Sequence, residues 1–344
     1  MNRLLAFTIL SLYNAANVDR QTKLYSFIQR THYDETADIP VNQVAMIRLG
    51  FHACFGTNGC QGCITPANKE PANRGLDKTI LDIYAGWKNY RYNIYDTICK
   101  EHITDLSFAD YLNVACLKAV ENLTKDSSIR SLTSYGRKNC PEIAINDSPF
   151  YENYVAGFPD ATLSWDSVYK SFKTHNSKFT VKQIVALIGG GHSVGQLKSF
   201  NSGFLTGPWD DTDSQIDARF FQVLLNQKWS RNTTDPSKPV WTTSIGDKRL
   251  VMLNTDMSFY YDMDLVAENL NVPSDCERDA RNCGFNSETM FYAQMFAEPF
   301  YHREFVKTFI QAFVKLLSSE PRTAKAQMRS VSLETGDESF EDEK

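Results

Sequence analysis

The chain has 344 residues, 42% hydrophobic and 22% charged, which fits a globular protein of one large domain or of two lobes sharing a core. The formal net charge is −5, and six acidic residues and one lysine after Ser330 account for it. The body of the chain is therefore near neutral, which excludes the broad basic surface that nucleic-acid partners need. No apolar run is long enough to span a bilayer, so we expect no membrane partner.

The N-terminus has the features of a secretion signal over residues 1–16. Arg3 precedes an apolar run at 4–12, and small residues follow that run. N-x-S/T sequons, among them those beginning at Asn122 and Asn232, and an even number of cysteines, eight, are typical of exported proteins. We therefore expect a secreted, disulfide-bonded glycoprotein with a disordered acidic tail over 321–344.

Helical periodicity dominates the first half of the chain. Apolar residues at helical spacing predict helices at residues 18–30, 41–54, 76–99 and 108–123. On the second of these, Arg48 and His52 are four residues apart and therefore share one side of the helix, next to Phe51. Two interpretations of this pair are equally good: the side chains belong to a polar stripe that faces solvent, or they point into the protein.

A Cys- and Gly-rich loop follows the second helix. Within it Cys54 and Cys60 can close a small ring, whereas Cys63 needs a more distant partner. Cys276 and Cys283 bracket a short loop and are predicted to pair. Three cysteines have no clear partner in the sequence: Cys99, Cys116 and Cys140. Of these, Cys116 is a candidate buried thiol.

The segment 181–195 is the most informative part of the chain. Its apolar residues recur at the spacing of a helix packed on one side, and three glycines and His192 then follow. Backbone without Cβ atoms can lie close to a flat ligand, and a histidine at such a helix end can bind a metal. Two other interpretations stay open. His192 alone is more often a hydrogen-bonded core residue, and residues 191–195 also spell G-x-S-x-G, the nucleophile elbow of α/β-hydrolases.

The second half of the chain is also mostly helical. A connector at 135–164 leads to a short helix at 165–172, and further helices are predicted at 220–229 and over 289–319, with a break at Pro299. An apolar run at 249–256 ends on an aspartate. Four aspartates within eight residues form a loop that is either solvated or suited to a hard cation: Asp210, Asp211, Asp213 and Asp217. Strand-like alternation is rare, so the predicted class is mainly α.

Five segments occur in order and together resemble the plant, fungal and bacterial haem peroxidase superfamily. They are R-x-x-F-H at 48–52, PANRGL at 71–76, ALIGGGH at 186–192, NSGF with GPW at 201–209, and MLNTD at 252–256. The proximal half resembles the cytochrome c peroxidase and ascorbate peroxidase branch. The resemblance implies a haem peroxidase domain over 17–320, with a distal lobe at about 17–150, a proximal lobe at about 160–300 and a C-terminal helix that packs back.

The resemblance also implies the chemistry, which is reduction of hydrogen peroxide at haem b through high-valent iron. His192 would ligate the iron, and Asp256 would accept a hydrogen bond from its other nitrogen and make the imidazole more electron-rich. His52 would move the peroxide proton, with its tautomer held by Asn73. Arg48 would stabilise the charge that develops as the O–O bond breaks.

Other positions match the family's haem surroundings and its proximal cation site. Phe51 would pack over the porphyrin, and Trp209 would lie beside the proximal imidazole. A Ca²⁺ site would use Ser193, Asp210, Thr212, Gln215 and Asp217, since two carboxylates favour Ca²⁺ over K⁺. A divalent cation near Trp209 disfavours an indole cation radical, so we expect the radical mainly on the porphyrin.

Departures from the family's sequence pattern limit the choice of electron donor. Ala53 replaces a calcium-binding aspartate, Asn201 replaces the ascorbate-contacting arginine, and Val41 and Ala45 replace manganese ligands. Phe51 in place of tryptophan excludes the crosslinked catalase-peroxidase centre. The expected donor is a phenol or aromatic amine at the haem edge, or protein tyrosines in an extracellular material. The oligomeric state is left open.

Two rival functions remain at this level. A serine hydrolase would use Ser193, Asp256 and His302, in the chain order of α/β-hydrolases. That fold needs a large sheet, which the few strand signals do not predict. The other rival is a non-catalytic descendant of a peroxidase that keeps the fold for haem binding or for structure.

Overall fold

The computed structural model describes residues 21–55, 59–95, 106–151, 158–174, 178–212, 214–263, 276 and 278–319. The predicted signal at 1–16, Cys99, Asp213 and the acidic tail at 321–344 lie outside these residues. The division into lobes stays a prediction.

Helices form most of the described chain, and the predicted mainly α class is confirmed. A helical segment ends in a π-helical turn, Gln29–Tyr33. The α-helices are α1 Gln43–Cys54, α2 Asp77–Tyr95, α3 Phe108–Thr124, α4 Pro141–Asn146, α5 Trp165–Thr174, α6 Val181–His192, α7 Ser199–Ser202, α8 Arg219–Asn226, α9 Asn254–Met257, α10 Met290–Ala297 and α11 His302–Leu317. None of the described helices has the length and hydropathy that a membrane span requires.

The strands are short and antiparallel. Gln196–Leu197 (β1) pairs with Gly207–Pro208 (β2), and Ser230–Asn232 (β3), Val240–Ile245 (β4) and Lys248–Met252 (β5) form a three-stranded sheet in that order. The run at 249–256 therefore divides into a strand and a short helix. Its first part is held by pairing with β4, and Asp256 turns the chain by accepting a hydrogen bond from the Leu253 amide at 2.9 Å.

Helix α3 is the centre of the first half of the structure. Most of its residues are buried, including the polar Asp110, Asn113 and Glu121. Helix α1 packs against it, and α11 packs against both α1 and α6. The C-terminal helix thus contacts the two helices that carry the predicted site histidines.

Glycines allow this close helix packing. A Cβ on Gly190 of α6 would lie 2.3 Å from the ring of Phe309 on α11, and one on Gly50 of α1 would lie 3.1 Å from the ring of Phe313. Gly189 meets the Phe221 ring of α8 in the same way, at 2.3 Å. The expectation that the glycine run lets backbone approach a flat ligand is therefore wrong for Gly189 and Gly190, because aromatic side chains occupy that space. Of the three glycines, only Gly191 has no described atom within 4 Å of the point that a Cβ would occupy.

Three disulfides join the described cysteines. Cys54–Cys60 closes the small ring, Cys63 pairs with Cys140, and Cys276–Cys283 closes the short loop. Cys140, which had no partner in the sequence pattern, is thus the distant partner that Cys63 needs. Cys116 is a free, buried thiol, as expected.

Candidate active site

His52 lies in the last turn of α1 and is fixed through one ring nitrogen. Its Nδ1 is 2.6 Å from Asn73 Oδ1, and the Asn73 amide donates in turn to the Thr65 carbonyl at 2.7 Å. Because that donation assigns Oδ1 as the acceptor, Nδ1 of His52 carries the proton and Nε2 keeps its lone pair. No group of the described residues hydrogen-bonds Nε2.

Burial keeps His52 neutral. Removal of the ring from water lowers the pKa of His52 to about 3, and the positive charge of Arg48 acts in the same direction, while the bond to Asn73 opposes them. The imidazole is therefore an unprotonated base over the physiological pH range.

The Arg48 guanidinium is held by backbone oxygens. It donates to the Arg74 carbonyl at 3.0 Å and also to the Ala72 carbonyl. Within the described part of the chain no carboxylate contacts it, so its charge is not neutralised by an ion pair. Arg48 and His52 lie one helical turn apart, which places a fixed cation beside a neutral base.

Aromatic side chains surround the same end of α1. Phe51 stacks on Phe55 with ring centroids 4.8 Å apart, and the Phe158 ring lies 4.4 Å from the His52 ring. The sequence analysis missed Phe158, since it treated the whole segment 135–164 as a connector. An apolar residue directly before a proline in a polar connector was the available signal.

His192 ends α6 and is bound to a buried carboxylate. Its Nδ1 is 2.7 Å from Asp256 Oδ1, and Asp256 is fully buried at the start of α9. The other carboxylate oxygen accepts from the Trp209 indole at 3.1 Å and from the Leu253 amide at 2.9 Å. The His192 side chain keeps 28% exposure, and among the described residues nothing hydrogen-bonds its Nε2.

Trp209 lies flat against the histidine. The two ring centroids are 4.3 Å apart and the planes are inclined by 12°. Trp209 follows the short strand β2, which pairs with the β1 strand just after α6. The pairing of β1 with β2 thus brings two residues 17 positions apart into one stack.

The acidic loop after Trp209 contains a buried carboxyl group. Asp210 is 1% exposed, its Oδ1 accepts from the Thr212 amide at 2.8 Å, and its Oδ2 is buried without a hydrogen-bond partner. Burial first, and then the charges of Asp217 and Asp211, raise the pKa of Asp210 to about 7.

Other members of the predicted cation set lie close to Asp210. The Thr212 hydroxyl is 3.3 Å from Asp217 Oδ2, and the Gln215 amide donates to the same oxygen at 2.9 Å. A bridge between Val194 and Ser214 joins the end of α6 to this loop, which brings Ser193 near it. Asp211, the next residue, pairs with Arg219.

Comparison with known proteins identifies the family of this chain. The family model described as peroxidase matches residues 25–297, which is most of the chain. The chain belongs to the peroxidase family. It is therefore a hydrogen-peroxide-dependent oxidoreductase, and the prediction that it is a haem peroxidase is confirmed.

Curated relatives agree with this assignment. A mitochondrial cytochrome c peroxidase of Aspergillus fumigatus is 26% identical over 90% of this chain and 72% of its own length. One of Yarrowia lipolytica is 26% identical over 73% of this chain and 68% of its own. A Candida albicans protein described as a heme-binding peroxidase is 27% identical over 67% of this chain and 72% of its own.

The residues present fit a haem. His192 Nδ1 is bound to a buried carboxylate and Nε2 has no partner among the described residues, so that Nε2 would be the atom to hold the iron of a haem. Gly191, one residue earlier, faces space that no described side chain fills. The cofactor prediction of haem is supported.

The hydrolase interpretation does not fit the peroxidase structure. Ser193 is fully buried at the end of α6 and donates to the Gly190 carbonyl at 2.9 Å. Asp256 is bound to His192, while His302 is exposed at the start of α11. The described strands form sheets of two and three strands, whereas the hydrolase fold needs a large central sheet.

The prediction of a secreted protein is wrong, because relatives that cover most of the chain are mitochondrial by name. The prediction relied on a leader, two sequons and a cysteine count, and each of these also arises by chance. One sequon asparagine, Asn122, lies inside α3 and donates to Gln29 Oε1 at 3.1 Å, so it is not on an open loop. The predicted glycosylation and extracellular crosslinking depended on export and lose that support.

Proposed function

We propose that this peroxidase reduces hydrogen peroxide with His52 and Arg48 acting on the peroxide and His192 ligating the haem. The observation that carries the proposal is the matched state of the two histidines, each held through Nδ1 and each left with Nε2 unpaired among the described residues. Bound haem supplies the iron that takes up the oxidising equivalents of peroxide and passes them on singly.

His52 moves the proton of the reaction. Its neutral Nε2 accepts the proton from one peroxide oxygen and then donates it to the other oxygen, which leaves as water. Asn73 keeps Nε2 unprotonated between turnovers. Arg48 stabilises the negative charge on the departing oxygen, and its backbone acceptors hold the guanidinium in place.

The second histidine cluster consists of His192, Asp256 and Trp209, and it would hold the haem iron. The charge of Asp256 would strengthen the His192 imidazole as an electron donor to a bound iron, and the Trp209 indole N–H and the Leu253 amide fix the carboxylate orientation. Phe51 and Phe55 supply apolar surface beside the distal base.

Stopped-flow mixing of the haem-loaded protein with hydrogen peroxide tests the role of His52. His52→Leu is expected to slow the reaction by about 10²–10⁴-fold, the range of positioned proton transfer. His302→Leu, the same substitution at an exposed histidine, is the matched control and should react like the unaltered protein. Equal rates for both variants would refute the assignment.

We propose a small phenol or aromatic amine as the electron donor. Support comes from the residues that replace the family's ascorbate and manganese contacts, and from the acidic loop, where a cation beside Trp209 would disfavour an indole radical. Turnover of guaiacol should then survive Trp209→Phe. A second candidate is cytochrome c, favoured by the relatives' names and by the stacking of Trp209 on His192. Fast oxidation of reduced cytochrome c that Trp209→Phe abolishes would establish that donor instead.

We also propose one Ca²⁺ site that uses Ser193, Asp210, Thr212, Gln215 and Asp217. The unpartnered, buried Oδ2 of Asp210 supports it, since a buried carboxylate oxygen needs a cation or a hydrogen-bond donor. The names of the relatives support mitochondria as the location, which organelle fractionation of the source cells would test.

A further inference from the structure

A histidine and a tyrosine form a buried hydrogen-bonded pair outside the active site. His32 Nε2 is 2.9 Å from the hydroxyl of Tyr111, and His32 Nδ1 is 2.8 Å from the Ile39 carbonyl. His32 is 1% exposed and Tyr111 is fully buried. None of the peroxide chemistry described above uses either residue.

The partners of His32 decide which atom carries each proton. A carbonyl oxygen only accepts, so Nδ1 of His32 must be the N–H that donates to Ile39. Nε2 therefore holds the lone pair, and the Tyr111 hydroxyl donates to it. Burial lowers the pKa of His32, which keeps the ring neutral and leaves the Nε2 lone pair as the hydrogen-bond acceptor.

The surrounding backbone is adapted to this pair. A Cβ on Gly86, in the middle of α2, would lie 2.3 Å from His32 Nε2 and 2.9 Å from the Tyr111 hydroxyl. Glycine inside a helix is less stabilising than alanine, so the position gives up helix stability to make room. His32 itself lies in the π-helical turn Gln29–Tyr33, a rare geometry that is frequent at functional sites.

Tyr111 also lies on α3, the helix that packs against α1. Five residues further along α3, Cys116 contacts α1, where its thiol is 3.5 Å from the Met46 carbonyl and would be 2.9 Å from a Cβ on Gly50. The pair is thus one helix away from the helix that carries Arg48 and His52, and it is closed to solvent.

We propose that Tyr111 is an internal one-electron donor of this peroxidase, with His32 as the base that takes its phenolic proton. Reduction of one peroxide to water leaves the enzyme two electrons short. Tyr111 supplies one of them and transfers its proton to His32 Nε2, which yields a neutral tyrosyl radical and an imidazolium. An electron from an external donor later returns with the proton to restore the phenol.

Tyr33 is the matched control within the chain. Its hydroxyl donates to the Ala115 carbonyl at 2.8 Å, an acceptor that cannot take up a proton. A second tyrosine, Tyr84, donates to the Asp147 carboxylate, an acceptor that is already paired with Lys88. Of these three tyrosines, only Tyr111 combines burial with a neutral imidazole acceptor.

Freeze-quench electron paramagnetic resonance of the haem-loaded protein after one equivalent of hydrogen peroxide tests the proposal. A tyrosyl signal that narrows with β-deuterated tyrosine is expected, and Tyr111→Phe should reduce it at least tenfold while Tyr33→Phe preserves it. Gly86→Ala, which displaces the pair but keeps both residues, should also reduce it. A signal that persists in Tyr111→Phe, or one that depends on Tyr84, would overturn the proposal.

Two further measurements cover variants that fail to fold or a protein that does not react with peroxide. In the unaltered protein labelled with ¹⁵N-histidine, electron–nuclear double resonance should show a histidine nitrogen coupled to the radical, and absence of that coupling would refute the pair. Oxidation by flash-generated tris(bipyridine)ruthenium(III) needs no peroxide step. A Tyr111-dependent radical under the flash would support the redox pair even if peroxide failed to react, and no such radical under the flash would overturn it.

Discussion

The Asp210 carboxyl group gives the most quantitative prediction about the proposed Ca²⁺ site. Burial and neighbouring aspartates raise the pKa of Asp210 from 3.8 to about 7. At about 1.36 kcal/mol per pH unit, this difference corresponds to about 4 kcal/mol. The folded state therefore keeps a proton between pH 4 and 7 that the unfolded chain has already lost, so without a cation the free energy of unfolding falls as the pH rises through that range.

A bound Ca²⁺ replaces the proton and reverses this loss. We expect Ca²⁺ to raise the melting temperature more at pH 8 than at pH 5.5, because at the lower pH the cation must displace the Asp210 proton. Asp210→Asn should remove most of the Ca²⁺-dependent rise and should make the chelated protein more stable than the unaltered one at pH 8. The assay is thermal unfolding at the two pH values, in chelator and in about 1 mM Ca²⁺. This concentration is on the order of the dissociation constants of the weaker Ca²⁺ sites in proteins.

Asp211→Asn is the control for this experiment. Asp211 lies next to Asp210 but pairs with Arg219, so its replacement removes the same charge outside the proposed ligand set. The Ca²⁺-dependent rise should survive in this variant. A rise of equal size in Asp210→Asn, or no Ca²⁺ effect at pH 8 in the unaltered protein, would refute the reasoning.

Three other predictions concern the two histidine clusters and the helix packing. Because burial lowers the pKa of His52 to about 3, its rate constant with peroxide should change less than about twofold between pH 8 and 5, and a fall centred near 6.5 in stopped-flow data would contradict this. Asp256→Asn removes the charge behind the proximal imidazole and should raise the haem reduction potential, so an unchanged potentiometric titration would argue against that role. Gly190→Ala would force a Cβ to within 2.3 Å of the Phe309 ring and should cost about 1–3 kcal/mol in urea unfolding. Gly191→Ala, with open space around it, is its control and should cost nothing, so equal losses would exclude the packing explanation.

Local sequence predicted the longer helices and the residue types of the candidate site. The 3.6-residue period of α1 places Arg48 and His52 on one side, and the break before α11 follows from Pro299, which cannot continue a helix. Five ordered motifs indicated the peroxidase family, because each residue that the chemistry requires belongs to a short motif that can be read locally. Export was wrongly predicted, since a leader pattern and sequons are short signals without a structural constraint behind them.

Only the tertiary structure decided how distant residues combine. The sequence left Cys63 and Cys140 unpaired because 77 residues separate them, and it treated the glycines of α6 as ligand space when Phe221 and Phe309 fill that space. The His32–Tyr111 pair, 79 residues apart, has no motif at all. Hydrogen-bond direction, burial and close packing depend on which helices meet, and a local pattern of residues does not contain that information.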